Sequence, residues 1–403
     1  SGATLALSRT YLANPLTLNN ATVTAGNSFN STLPAGSTIT LNGISAINVS
    51  GNLNIFGNMT GPGGITKGLA ATVPVTGNNN YTGPTTINVG SLLFAKPASL
   101  YNADSSQWIP ANITVASGAI LRLNVGGASD FTPAQVGTIL GNLTTGLNNN
   151  GLKAGSLLGI NTVNASGTVT LAANITDSTG VGSGSVGLVE YGAGTLELTG
   201  ANTYTGPTIV DNNATLIVSS FNSVNGGIPP LASSTLGRPT SIANGTIQLG
   251  TQTSFQGGRL TYVGTGETTD RVISLGGANN TTYVLDQSGS GLLRFTSPIA
   301  LGADNRGPKT ITLRGSTAGT GEIGGTIPVM NTAAGSETSL TKSGTGTWTL
   351  SGVNLYTGTT TVSDGNLVIG GAGQLGGGTY ARNIILNATS STLTYNSSAP
   401  QTL

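Results

Sequence analysis

The chain has 403 residues, of which 7% are charged and 5% aromatic, and its formal net charge is +1. It contains no cysteine and no histidine, so disulfides, thiolate metal sites and imidazole general bases are excluded. The 14 basic residues are scattered singly, which leaves nucleic acid without the clustered cations that phosphate contacts need.

Gly, Thr, Ser and Asn contribute 63, 63, 39 and 39 residues. Such polarity fits disorder, but disordered chains pair it with high net charge and few β-branched residues. Here Val, Ile, Leu and Thr recur in short alternations punctuated by Gly and Asn, the pattern of many short strands and tight turns. No apolar run is long enough to span a bilayer. The chain opens at Ser1 without a charged or apolar leader, so it is expected to be a mature or excised product.

In chain order, "SGATLALSRTYLANPLTLNNATV" begins already alternating, as if inside a coil. Residues 63–95 then read "GGITKGLAATVPVTGNNNYTGPTTINVGSLLFA", the first copy of a phrase that recurs. Residues 103–160 are least like it and are expected to protrude as a loop and short helix. Within them Thr132 serves as N-cap, Pro133 takes the first helical position, and Val136, Ile139 and Leu140 share a face. This divides the chain into 1–102, the excursion 103–160, and 161–403. "GSGSVG" at 182–187 reads as a turn, because no βαβ unit follows to make it a nucleotide loop.

The second copy, "VEYGAGTLELTGANTYTGPTIVDNNATLIV", runs over 189–218 and the third, "LTKSGTGTWTLSGVNLYTGTTTVSDGNLVIGG", over 340–371. Each reads Gly-rich turn, strand, Gly-x-Asn-x-Tyr-Thr-Gly turn, strand, turn, strand. Alternation sends Leu196 and Leu198 inward and Thr195, Glu197 and Thr199 outward. Weaker alternations at 118–125, 245–264 and 309–327 fill the gaps. At about 20–25 residues per coil the chain makes roughly 16–20 coils, spaced about 4.8 Å apart. Tyr81, Tyr204 and Tyr356 hold one offset from their turns. They are expected to pack beside the turn and cover its exposed corner rather than stack on a ligand.

"GAGTLELTGANTYTGPTIV" and "LTKSGTGTWTLSGVNLYTGTTTVSDGNLVI" resemble the autotransporter-associated β-helix repeat, or passenger-associated transport repeat, of bacterial surface proteins. The resemblance implies an all-β, right-handed parallel β-helix, exported to the cell surface and folding during secretion. With no membrane barrel after the repeats and no protease or lipase motif before them, a passenger segment or a free-standing rod is expected. Both ends read as interrupted coils, a template for another chain.

Of the 13 carboxylates, only Glu267 and Asp270 fall close together, followed by Arg271. A glycosidase would need two such groups about 5–10 Å apart across a groove; a turn whose charges pair locally or simply face solvent is the reading preferred. No calcium-loop pattern occurs. No catalytic, cofactor-binding or metal residue is assigned. The expected function is that of a non-catalytic, extracellular, structural or adhesive β-solenoid at a bacterial surface, self-associating end to end. A carbohydrate- or host-binding passenger segment, recognising surface glycans through 103–160, is the alternative. A polysaccharide-degrading β-helix enzyme comes third.

Overall fold

Short runs of alternating Thr and aliphatic residues cannot bury their apolar face alone, and here they do so by coiling. The computed structural model describes residues 2–26, 30–145, 149–224, 232–251, 256–277, 281–302, 307–329 and 337–403. They fall into two compact units, Ser1–Val189 and Glu190–Leu403. Within each unit, every pairing between successive strands of a sheet is parallel, so each unit is a parallel β-helix.

In the first unit one sheet stacks Thr4–Leu7, Thr22–Ala25, Ser45–Val49, Ile65–Gly68, Thr85–Ile87, Ile113–Val115 and Gly151–Leu152. A second stacks Ser31–Leu33, Leu53–Ile55, Thr72–Val75, Ser91–Phe94, Ile120–Asn124 and Ser156–Asn161. A short third face joins Leu16–Leu18, Thr38–Leu41 and Asn58–Thr60. The basic coil is seen where Ile65 pairs with Thr85, twenty residues on.

The second unit repeats the plan. Its longest ladder runs from Thr195–Leu198 through Thr215–Val218, Arg259–Tyr262, Thr281–Gln287, Lys309–Gly315, Thr338–Lys342 and Thr360–Val362 to Ile384–Leu386. Glu267–Thr269, Gly291–Phe295, Gly319–Ile323, Thr347–Leu350, Asn366–Ile369 and Thr392–Tyr395 form another face. Inward residues fall in columns. Leu196, Leu216, Leu260, Leu285 and Leu313 are successive partners, all at most 2% exposed. Each such burial removes apolar surface worth about 1.5–3 kcal/mol. As the alternation predicts, Leu196 and Leu198 lie in this interior while Glu197 is half-buried and Thr199 exposed.

Residues 103–160 are not one excursion. Ile113–Val115, Ile120–Asn124, Gly151–Leu152 and Ser156–Asn161 all pair within the sheets. Extra chain is instead inserted at one corner in two successive coils, at 95–112 and 125–150, because a corner can lengthen without moving the ladder on either side. The first insertion holds three 3₁₀ turns, Pro97–Ser99, Tyr101–Ala103 and Ser105–Gln107. The second holds the helix α1 (Pro133–Leu143), capped as its sequence predicts. Thr132 Oγ1 accepts from the Gln135 N–H at 3.2 Å, and Gln135 Oε1 accepts from the Thr132 N–H at 2.9 Å. Val136, Ile139, Leu140 and Leu143 are buried. The insertions pack on each other through Trp108 and Phe131, whose ring centroids are 5.8 Å apart. No helix is long and apolar enough to cross a membrane among the described residues.

Candidate functional site

The recurring phrase builds an interior layer. Tyr81, Tyr204 and Tyr356 are at most 1% exposed, so they do not cover an outer corner. Each hydroxyl bonds the Oγ1 of the threonine four residues on: Thr85 at 2.6 Å, Thr208 at 2.7 Å and Thr360 at 2.7 Å. A buried phenol needs such a partner, and an inward threonine in the next strand supplies it. In the first and third copies a further tyrosine from the following coil joins: Tyr101 to Thr85 at 3.0 Å and Tyr380 to Thr360 at 2.7 Å. The turn asparagine two residues before the tyrosine is also buried and ties coils together. Asn79 Oδ1 accepts from the Met59 N–H at 2.8 Å, and its Nδ2 donates to the Ser99 carbonyl at 2.8 Å.

Fourteen residues before Tyr81 and Tyr356 stand Lys67 and Lys342, both fully buried. Each takes an inward slot in an otherwise aliphatic column: Lys67 between Ile47 and Ile87, Lys342 between Leu313 and Val362. Lys67 Nζ donates to the carbonyls of Gly68, Leu69 and Val89 at 2.6, 2.7 and 3.3 Å. Lys342 Nζ does the same to Ser343, Gly344 and Asp364 at 3.0, 2.7 and 3.0 Å. The corner beside each third carbonyl turns on a left-handed glycine, Gly90 at φ +72° and Gly365 at φ +66°. In the second copy Glu190, also buried, stands at the lysine's place.

Glu267 and Asp270 do come together, but not across a groove. Glu267 accepts from the N–H groups of Phe221 and Asn222 at 2.8 and 2.7 Å, and Asp270 Oδ1 from the N–H of Val224 at 2.6 Å. Arg271, 1% exposed, donates to the carbonyls of Phe221, Leu236 and Gly245 at 3.0, 2.6 and 2.7 Å. The trio therefore clamps both ends of the insertion 219–246 to the coil. Burial pushes the Glu267 carboxyl above its ordinary value, and the N–H donors of Phe221 and Asn222 and the charge of Arg271 oppose that rise.

The outer surface offers a groove of about 380 Å³ on the first unit. Its floor is a corner column in which Phe56, Thr76, Ala95 and Asn124 follow one another in successive coils. Asn58, Asn78 and Lys96 flank the column, and Asp130 and Asn164 close one side. Asp130, 8% exposed, accepts from the Gly127 N–H at 3.1 Å and from Asn164 Nδ2 at 3.3 Å. Among the described residues no three Asp, Glu, His or Cys side chains gather in a way that could hold a metal ion.

Comparison with known proteins agrees with the geometry. The family model described as Passenger-associated-transport-repeat matches residues 71–94, 188–228 and 340–369. The chain carries passenger-associated transport repeats. Over 360 residues, 85% of its length, it is 32% identical to a protein named "Adhesin BmaC autotransporter" from Brucella suis biovar 1 (strain 1330). It spans only 10% of that relative. No solved structure matches.

The buried side chains of the passenger-associated transport repeats set a pH profile. Burial lowers Lys67 and Lys342 to about 8, with the charge of Asp364 partly offsetting the fall at Lys342. From pH 8 to the ordinary lysine value of 10.5, the unfolded chain holds protons that the folded one sheds, so stability rises with pH. Burial acts oppositely on the phenols: Tyr81 and Tyr356 are pushed well above 10, and Tyr101 to about 12. Above pH 10 the buried phenols keep protons in the folded chain that the unfolded one releases, and stability falls, with Arg271, lowered by burial to about 10, opposing part of the fall. With no histidine, nothing comparable titrates between pH 6 and 8. Urea midpoints measured from pH 6 to 12 are expected to stay level, climb above 8 and decline beyond about 10. Lys67→Met and Lys342→Met should flatten the climb, and a steady fall from pH 8 would contradict the buried-lysine account.

Proposed function

We propose that this chain is a non-catalytic stretch of an adhesive passenger, an extracellular β-helix displayed at a bacterial surface. The observation that carries the reading is the direction in which the recurring residues point. Tyr, Thr, Asn and Lys of the repeats are spent on bonds inside, some within a coil and others to the next coil, which leaves the outer faces free to differ and to contact other surfaces. The relative bearing the word adhesin in its name supports the same reading. The one close carboxylate pair, Glu267 and Asp270, is engaged by backbone N–H groups, which favours a structural over a hydrolytic role.

End-to-end self-association belongs to the proposal. Leu386 and Tyr395, on the strands Ile384–Leu386 and Thr392–Tyr395, are 53% and 39% exposed, apolar surface that contact with a second copy would cover. Beads coated with the folded chain should adhere to epithelial monolayers above an albumin control, and heat-unfolded coating should not. Equal retention of folded and unfolded coatings would remove the adhesive reading. Sedimentation velocity at rising concentration should show dimers that Leu386→Lys abolishes; a monomer at every concentration removes self-association and leaves adhesion untouched.

A further inference from the structure

We propose that the groove on the first unit binds an acidic glycan, with Phe56 as platform for a sugar face and Lys96 as the partner of a sugar carboxylate. The proposal deepens the adhesive reading by naming a ligand class and a place.

Its volume, about 380 Å³, falls within the range of small-ligand sites. The floor is built in steps of one coil, about 4.8 Å, close to the length of one hexose along an extended chain. Phe56, Thr76, Ala95 and Asn124 therefore offer one position to each of several consecutive sugars. Phe56 is half-buried, held at its root by an N–H bond to the Leu33 carbonyl at 2.8 Å, and it lines the groove. A fixed aromatic face beside amides is the combination that takes up the C–H face of a pyranose while its hydroxyls are hydrogen-bonded.

The amides are already oriented. Asn58 is tied through Oδ1 to the Asn78 N–H at 2.7 Å, and Asn124 through Oδ1 to Asn161 Nδ2 at 2.5 Å. Asn164 is tied through Nδ2 to Asp130 at 3.3 Å. The opposite end of each amide, two donors and one acceptor, is left for a ligand. Such fixing in advance lowers the ordering cost of binding.

Charge selects the class. Asp130 is buried and occupied by Gly127 and Asn164, whereas Lys96 is half-buried and makes no ion pair among the described residues. The cation is thus the charge offered outward, and a uronate carboxylate is the group that fits it.

The test uses the whole chain and two probes of the same linkage, a trigalacturonate and its neutral trigalactose counterpart, followed by calorimetry at low and moderate salt. The acidic trimer should bind at least about tenfold tighter than the neutral one, with the advantage shrinking as salt rises. Lys96→Gln should erase the preference, and Phe56→Ala should weaken both trimers about tenfold or more. Asn78→Ala, at an exposed position, guards against misfolding and should weaken both. No binding of either trimer, equal binding of the two, or wild-type affinity in all three variants overturns the proposal. Any of these would leave adhesion by another face intact, whereas loss of bead adhesion with glycan binding retained would sink the broader reading alone.

Discussion

Trp348→Ala is expected to destabilise the second unit by about 3–5 kcal/mol, the range for deleting a fully buried indole. Trp348 is fully buried on the strand Thr347–Leu350, and its Nε1 donates to the Arg314 carbonyl at 2.8 Å. Its partner one coil away is Gly321, and a Cβ placed there would lie 2.4 Å from the indole ring. The column reads Leu293, Gly321, Trp348, Leu367, so the glycine supplies the room that the indole fills. Gly321→Leu should therefore damage the unit by overpacking, by about 1–3 kcal/mol or more. The double variant Gly321→Leu with Trp348→Leu restores four leucine-sized layers and should be more stable than the sum of its singles, by up to about 3 kcal/mol. Denaturant unfolding of the wild-type chain, Gly321→Leu, Trp348→Leu and the double variant checks this, and additive losses would mean that the two residues do not share one space.

Arg271→Ala is the second large effect. Its guanidinium, buried and charged at neutral pH, satisfies carbonyls near the start (Phe221), in the middle (Leu236) and near the end (Gly245) of the insertion 219–246. Removing it leaves those carbonyls unpaired and leaves Glu267 without the nearby cation that favours its charged form. Breaking a buried charged network of this kind costs about 3–5 kcal/mol. Arg271→Met keeps most of the volume but none of the donors, so it should recover only part of the loss. Limited proteolysis should cut both variants first within 219–246. Wild-type resistance in both would show that the carboxylates alone hold the insertion.

The coil was legible because its signal is geometric. A period of two with Gly or Asn at each bend places Leu196 and Leu198 inside whatever their neighbours do. The capped helix at Pro133–Leu143 was legible because Thr132, Pro133 and Gln135 carry its start locally. The polar interior was missed for a physical reason: tyrosine and lysine are ordinarily placed outside, and only their partners in adjacent coils make burial tolerable. A usable sign existed. Lys67 shares the parity of Ile65, and Lys342 that of Leu340, and both hold the same offset from a repeat tyrosine. The groove could not be read at all, because its lining residues are separated by whole coils and by insertions of irregular length.

The bonds of Asn79 reach back to Met59 and forward to Ser99, twenty residues each way and no further. An ancestral duplication of one such stretch would carry its own complete set of internal ties and need no matching change elsewhere. Length in a molecule wired this way is free to vary by simple copying, and the exterior of each new copy can then diverge under selection without disturbing what holds it shut.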